Sequence, residues 1–124
     1  MADVPYPNIE QLARITIGDL FPSGSTGLVT PGDLEDRLPF GRVRRVGGAD
    51  TDPFTDAARV AVDVFSLTYA EGAPLAEDVR QRLRTAPDPF DRVFTVTAPI
   101  EVPWADGSAV RRWTATYGIT LRRT

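Results

Sequence analysis

Residues 110 to 123 alternate almost strictly. Trp113, Ala115, Tyr117, Ile119 and Leu121 fall on one side, and Arg112, Thr114, Thr116, Thr120 and Arg122 on the other. A period of two with one apolar and one polar side predicts a β-strand with a single buried face. Residues 59 to 67, RVAVDVFSL, predict a central strand. Val60, Val62 and Val64 point one way, and Ala61, Asp63, Phe65 and Leu67 the other. Both sides are largely apolar, which predicts cover on both faces or a place at a subunit contact. Residues 40 to 47, FGRVRRVG, predict a partly solvated strand, with Phe40, Arg42, Arg44 and Val46 opposite Val43 and Arg45. Residues 91 to 98 predict a further strand. Between it and the last strand, residues 99 to 109 read as a Pro-containing excursion with a turn at Asp106-Gly107.

Two segments follow a helical period instead. In residues 8 to 21, Ile9, Leu12, Ala13, Leu20 and Phe21 gather near one face, with Asn8 as the cap and Pro22 as the stop. In residues 68 to 86, Leu75, Ala76, Val79, Leu83 and Ala86 form an apolar stripe, with acids early and arginines late, as the helix dipole favours. Thr68 and Glu71 have capping-box spacing, while Gly72 and Pro74 place the regular start near Pro74. Residues 22 to 33 read as loop, with a helical turn at 32 to 38 that Pro39 closes. Residues 47 to 58, with Gly47, Gly48, Asp50, Asp52 and Pro53, read as a turn or loop.

The element order is α-β-β-α-β-β. The simplest packing is an α+β layer: an antiparallel sheet of about four strands with two helices against it. The 124 residues suit one domain, 1–124, with no room for a second core. No apolar run approaches the roughly 18 residues of a membrane span, and the first residues lack the basic start of a signal peptide. The expectation is a protein kept in a cytoplasm at first, with no membrane partner.

Composition narrows the chemistry. The chain has no Cys, no His and no Lys, so all 14 basic residues are arginines. Disulfides, thiolate nucleophiles and cysteine metal sites are excluded. So are the Walker phosphate loop and Schiff-base catalysis, which need lysine. The commonest general base and metal ligand is missing. The serines Ser23, Ser25, Ser66 and Ser108 lack the usual triad partner. Acid pairs at Glu35-Asp36, Asp50/Asp52 and Glu77-Asp78 read as solvated surface acids, without calcium-loop spacing. The chain therefore reads as no enzyme, with no cofactor, no metal and no catalytic residue.

Charge bears on partners. The net charge is -3, whereas a dedicated DNA-binding domain usually carries a basic excess. Arg42, Arg44 and Arg45 read as strand residues facing solvent or another protein, with the acids Asp50, Asp52 and Asp56 just behind them. Asp63, inside an apolar strand, reads as paired with an arginine of a neighbouring strand or subunit, or as lying near solvent, with pairing favoured. The alternative is a buried functional acid.

Residues 43 to 83, VRRVGGADTDPFTDAARVAVDVFSLTYAEGAPLAEDVRQRL, followed by TAPIEVPWADGSAVRRWTATYGITLRR, resemble the tail terminator proteins of long-tailed (siphovirus-type) bacteriophages, in versions from phages of actinobacteria. The resemblance rests on the Arg-Val-Gly-Gly strand end, the Asp-rich loop with Pro53, the strand ending Asp63-Val64-Phe65, the Leu75 to Leu83 helix and the closing strand. It implies a virion structural protein of the head-tail neck: a hexameric ring of copies on the head-proximal end of the tail tube. Such a ring stops tube polymerisation and offers a surface to a head-side connector or stopper protein. The genome DNA passes through its lumen without specific binding. Under this reading Arg42, Arg44, Arg45, Asp50, Asp52, Asp63 and Arg122 lie at subunit or partner interfaces. The alternatives are a head-completion or stopper protein, and a small nucleic-acid-binding module using Arg42, Arg44, Arg45, Arg122 and Arg123.

Overall fold

The alternating segments all join one sheet. The computed structural model describes residues 9–47, 55–86, 90–105 and 107–122. Its strands are β1 (Thr26–Gly27), β2 (Phe40–Gly47), β3 (Thr55–Ser66), β4 (Phe90–Val102) and β5 (Arg111–Arg122), in spatial order β1-β2-β3-β5-β4. The four long strands are antiparallel neighbours, as their patterning predicts. The expected count of about four is corrected to five: two residues of the anticipated loop 22 to 33 pair parallel with β2, Thr26 beside Gly41 and Gly27 beside Arg42. So short a parallel pairing carries no periodicity for a sequence to show.

Two helices cover one face, here called the inner face: α1 (Ile9–Ile17) and α2 (Tyr69–Arg84). Ile9, Ala13 and Ile17 are buried at i, i+4, i+8 on α1, and Ala76, Val79 and Leu83 on α2. They meet Val43 of β2, Val60, Val62 and Val64 of β3, and Trp113, Ala115, Tyr117 and Ile119 of β5 in one core. α1 is shorter than the anticipated 8 to 21; its tail, Gly18–Leu20, is a 3-10 turn, and Asn8 lies outside the described residues. Arg82 of α2 holds this end, bonding the Thr16 carbonyl at 3.3 Å and Asp19.

The start of α2 departs from expectation. It begins at Tyr69, with Pro74 inside it. Thr68 Oγ1 accepts from the Glu71 N–H at 3.2 Å, while the Ser66 hydroxyl donates to Glu71 Oε1 at 2.8 Å. The first bond satisfies a first-turn N–H that would otherwise be orphaned, and the second ties the Glu71 carboxylate to the end of β3. Gly72 is there for space: a Cβ would stand inside the Trp113 ring.

Among the described residues, the opposite, outer face is covered only at one end. Leu34, Phe40, Phe65 and Val110 form a second, smaller core with Leu38 and Trp104 packed against it. The anticipated turn at 32 to 38 supplies Leu34 from a 3-10 helix, Leu34–Arg37, and the segment between β4 and β5 supplies Trp104 and Val110. β4 runs further than the anticipated 91 to 98 and takes in Pro99 and Ile100 of the expected excursion. As an edge strand with three register shifts, it tolerates a proline, because its outward N–H has no ladder partner to lose. β3 likewise starts earlier than residue 59. Gly48, Asp50, Asp52 and Pro53 of the expected loop, and Asp106 of the expected turn, lie outside the described residues.

Candidate functional site on the outer sheet face

Asp63 organises the covered part of the outer face. It stands opposite Arg42 on β2 and Thr114 on β5, and its side chain is fully buried. Arg42 donates to Asp63 Oδ2 from Nε at 2.9 Å and from Nη2 at 2.5 Å, and Arg44 Nε approaches the same oxygen at 3.3 Å. Oδ1 is buried without a hydrogen bond of good geometry. Arg42 also reaches outward. Its Nη1 donates to Thr30 Oγ1 at 2.6 Å, and its guanidinium lies 5.5 Å from the Phe65 ring centre and 5.8 Å from that of Trp104. Arg112 lies over the same Trp104 ring at 5.4 Å and donates to the Pro103 carbonyl at 3.1 Å. One ion pair thus ties β2, β3, the loop at Thr30 and the β4–β5 connection together.

The charge state follows from this surrounding. Burial pushes the Asp63 pKa up, but the Thr114 hydroxyl, the hydrogen bonds from Arg42 and the charges of Arg42 and Arg44 outweigh it, so the pKa lies below the usual aspartate value. A carboxylate depressed in the folded state adds stability above its unfolded pKa, about 3.9, and that stability is lost as pH falls through the folded value. Urea unfolding at a series of pH values should therefore show stability dropping below about pH 4. An Asp63→Asn variant, which has no proton to take up there, should show a shallower drop. Equal slopes would mean that Asp63 is not held charged by this pair.

The residues expected at interfaces separate in the fold. Arg42, Arg44 and Asp63 come together, and the pairing of Asp63 with an arginine of a neighbouring strand is found within the chain. Arg45 sits on the other side of β2, opposite Val60 of the inner core; its backbone N–H donates to Glu10 Oε2 of α1 at 2.8 Å. The three neighbouring arginines therefore form no single patch. Arg122 closes β5 opposite Thr55. Asp50 and Asp52 lie outside the described residues.

Sequence reasoning does not single out three other residues of this face. Arg59 and Phe94 flank Gly118 in register, and Arg92 stands opposite Thr120. Arg59 and Arg92 are exposed, Arg92 lies 5.5 Å from the Phe94 ring centre, and Phe94 is 46% exposed. The available signal is parity: Arg59 shares the side of Ala61, Asp63 and Phe65. At the far end of the same face, an open cleft of about 550 Å³ is lined by Asp33, Glu35, Asp36, Trp104, Ser108 and Val110 among others. Among the described residues no three acids come together to hold a metal ion, and no helix is long and apolar enough to cross a membrane.

The geometry defines a class: an α+β protein with two helices on one face of a mixed five-stranded sheet and an arginine-bearing second face. No protein-family model and no curated protein matches the chain. Among solved structures, the chain is similar to one from the virion of a native gene transfer agent (GTA) particle. The TM-score is 0.53 at 12% identity, over 92% of this chain and 87% of that chain. At that identity the likeness speaks for the fold alone.

Proposed function

We propose that this chain is a virion structural protein, a tail terminator that forms a ring on the head-proximal end of a tail tube. The observation that carries the reading is the fold shared, over nearly the whole of both chains, with a component of a gene transfer agent virion. It agrees with the resemblance drawn from the strand and helix pattern of residues 40 to 123. A part of this kind needs a rigid frame and two distinct surfaces, one for copies of itself and one for unlike partners. The double-sided sheet fits that need: helices brace one face, and the Arg42–Asp63 pair locks connecting segments onto the other.

The proposed partners are copies of this chain in a hexameric ring, the tail tube protein, and a head-side connector or stopper protein. Arg44 and Arg45, exposed on opposite sides of β2, and Arg122 are proposed contact residues. Arg42 and Asp63 act from inside the subunit by shaping the surface. DNA would traverse the ring without specific contacts, as a net charge of -3 favours.

The test is electron microscopy of particles assembled without the protein. Overlong, ragged tubes lacking heads are expected. Tails of normal length beside emptied heads would overturn the terminator role and assign the chain to head completion instead.

A further inference from the structure

The outer face is unevenly charged along the strands. Its open end carries Arg59, Arg92 and Phe94, and its covered end carries Glu35 and Asp36 on the exposed 3-10 turn. Leu34 beneath that turn packs with Phe40 and Phe65. Phe65 and Arg59 are six residues apart on β3, so roughly 20 Å separates the two ends.

Among the described residues, neither end is neutralised by an ion pair. Among the described residues Arg59, Glu35 and Asp36 belong to no ion pair, whereas Asp33 pairs with Arg37 at 3.0 Å. Arg92 lies against the Phe94 ring and is exposed. Arginine beside a half-exposed aromatic ring is the composition found at the energetic centre of protein interfaces. The acidic end offers matching chemistry: carboxylates that accept from guanidinium groups, beside a cleft walled by the Trp104 ring.

We propose that the Arg59, Arg92 and Phe94 end of the outer face docks on Glu35 and Asp36, beside the Trp104 cleft, of a second copy of this chain. The contact deepens the ring reading above and rests on it. A second copy is the occupant because the complementary charge is present on the chain itself, at the opposite end of the same face. Where each copy binds two different neighbours, the contact is heterologous and repeats head to tail into a ring or filament. Because both patches lie on one face, the same pairing made twice between two copies would instead close a two-fold dimer, which the sedimentation mass distinguishes. Duplex DNA, the other class of partner for a basic face with an aromatic ring, finds at this end, among the described residues, two arginines outside any ion pair, on a chain of net charge -3.

The test uses the full chain and two exposed double variants, Glu35→Arg/Asp36→Arg and Arg59→Glu/Arg92→Glu, checked for native melting by circular dichroism. In sedimentation velocity the wild type should self-associate, and each variant alone should do so at least about tenfold more weakly. An equimolar mixture of the two variants should recover association, because every contact between unlike copies is again complementary and the copies alternate. A wild type that stays monomeric at all concentrations would overturn the proposal, as would variants that associate normally or a mixture that fails to recover. Loss of duplex DNA retention at low salt in Arg59→Glu/Arg92→Glu, with self-association intact, would reassign the face to nucleic acid.

The two readings fail separately. Normal tails assembled with either variant, beside overlong tails without the protein, would remove this contact and leave the terminator role. Normal tails without the protein, with a mixture that recovers association, would leave the contact and remove that role.

Discussion

Replacing Asp63 by alanine should destabilise the fold by about 3–5 kcal/mol, the cost of breaking a buried ion pair from one side. The acid is fully buried and Arg42 is only 15% exposed, so water cannot replace the lost partner without rearrangement. The guanidinium that remains still bonds Thr30 and lies over Phe65 and Trp104. Loosening it should therefore release the segment around Thr30 and the β4–β5 connection together. Urea denaturation checks the magnitude. Hydrogen exchange checks the spread, with loss of protection expected at Gly41 and Arg42 of β2 and near Val110. Removing both charges, as Asp63→Val with Arg42→Leu, should cost much less than the sum of the two single changes, since buried pairs replaced by apolar groups are often near neutral. A single Asp63→Ala loss below about 1 kcal/mol would place the pair in the solvent-screened class instead.

The second large effect is expected at Gly72. In an open helix, alanine in place of glycine would gain about 1 kcal/mol from helix propensity. Here the added Cβ would overlap the six-membered ring of Trp113, which is 3% exposed and set in the main core. Overpacking of this kind costs typically 1–3 kcal/mol, so Gly72→Ala should be destabilising despite the propensity gain. Gly118 offers the contrast: its Cβ would meet the Phe94 ring, but that ring is 46% exposed on the edge strand and free to swing outward. Thermal unfolding of both variants should rank Gly72→Ala as clearly the worse. The reverse order would mean that Trp113 has room to move.

Both predictions concern residues whose role the sequence shows only halfway. Asp63 is legible as an acid out of place in a valine-rich strand, and a partner on a neighbouring strand is the natural expectation. Its partner's identity depends on register, since a shift of one residue would set Val43 rather than Arg42 beside it. Gly72 reads as a weak helix position, and so helix α2 is placed too late. The close approach of Trp113, which lies more than forty residues further along the chain, is what makes a glycine necessary there.

The sequence by itself determines the long strands, the two helices and the α+β class, because these rest on periods of two and 3.6 that each segment carries within itself. It also determines the absence of cysteine, histidine and lysine chemistry. The period of two already separates Arg42 and Arg44 from Arg45; only the tertiary structure decides that the first two meet Asp63 on the outer face and that Arg45 faces the helix side. The same holds for the two-residue strand β1 at the sheet edge, and for the outer face that sets Arg59 and Arg92 at one end and Glu35 and Asp36 at the other. The physical reason is distance along the chain. Periodicity is a local property, whereas ion pairs, close approaches and charged faces join residues that only the pairing order and register of the sheet bring side by side.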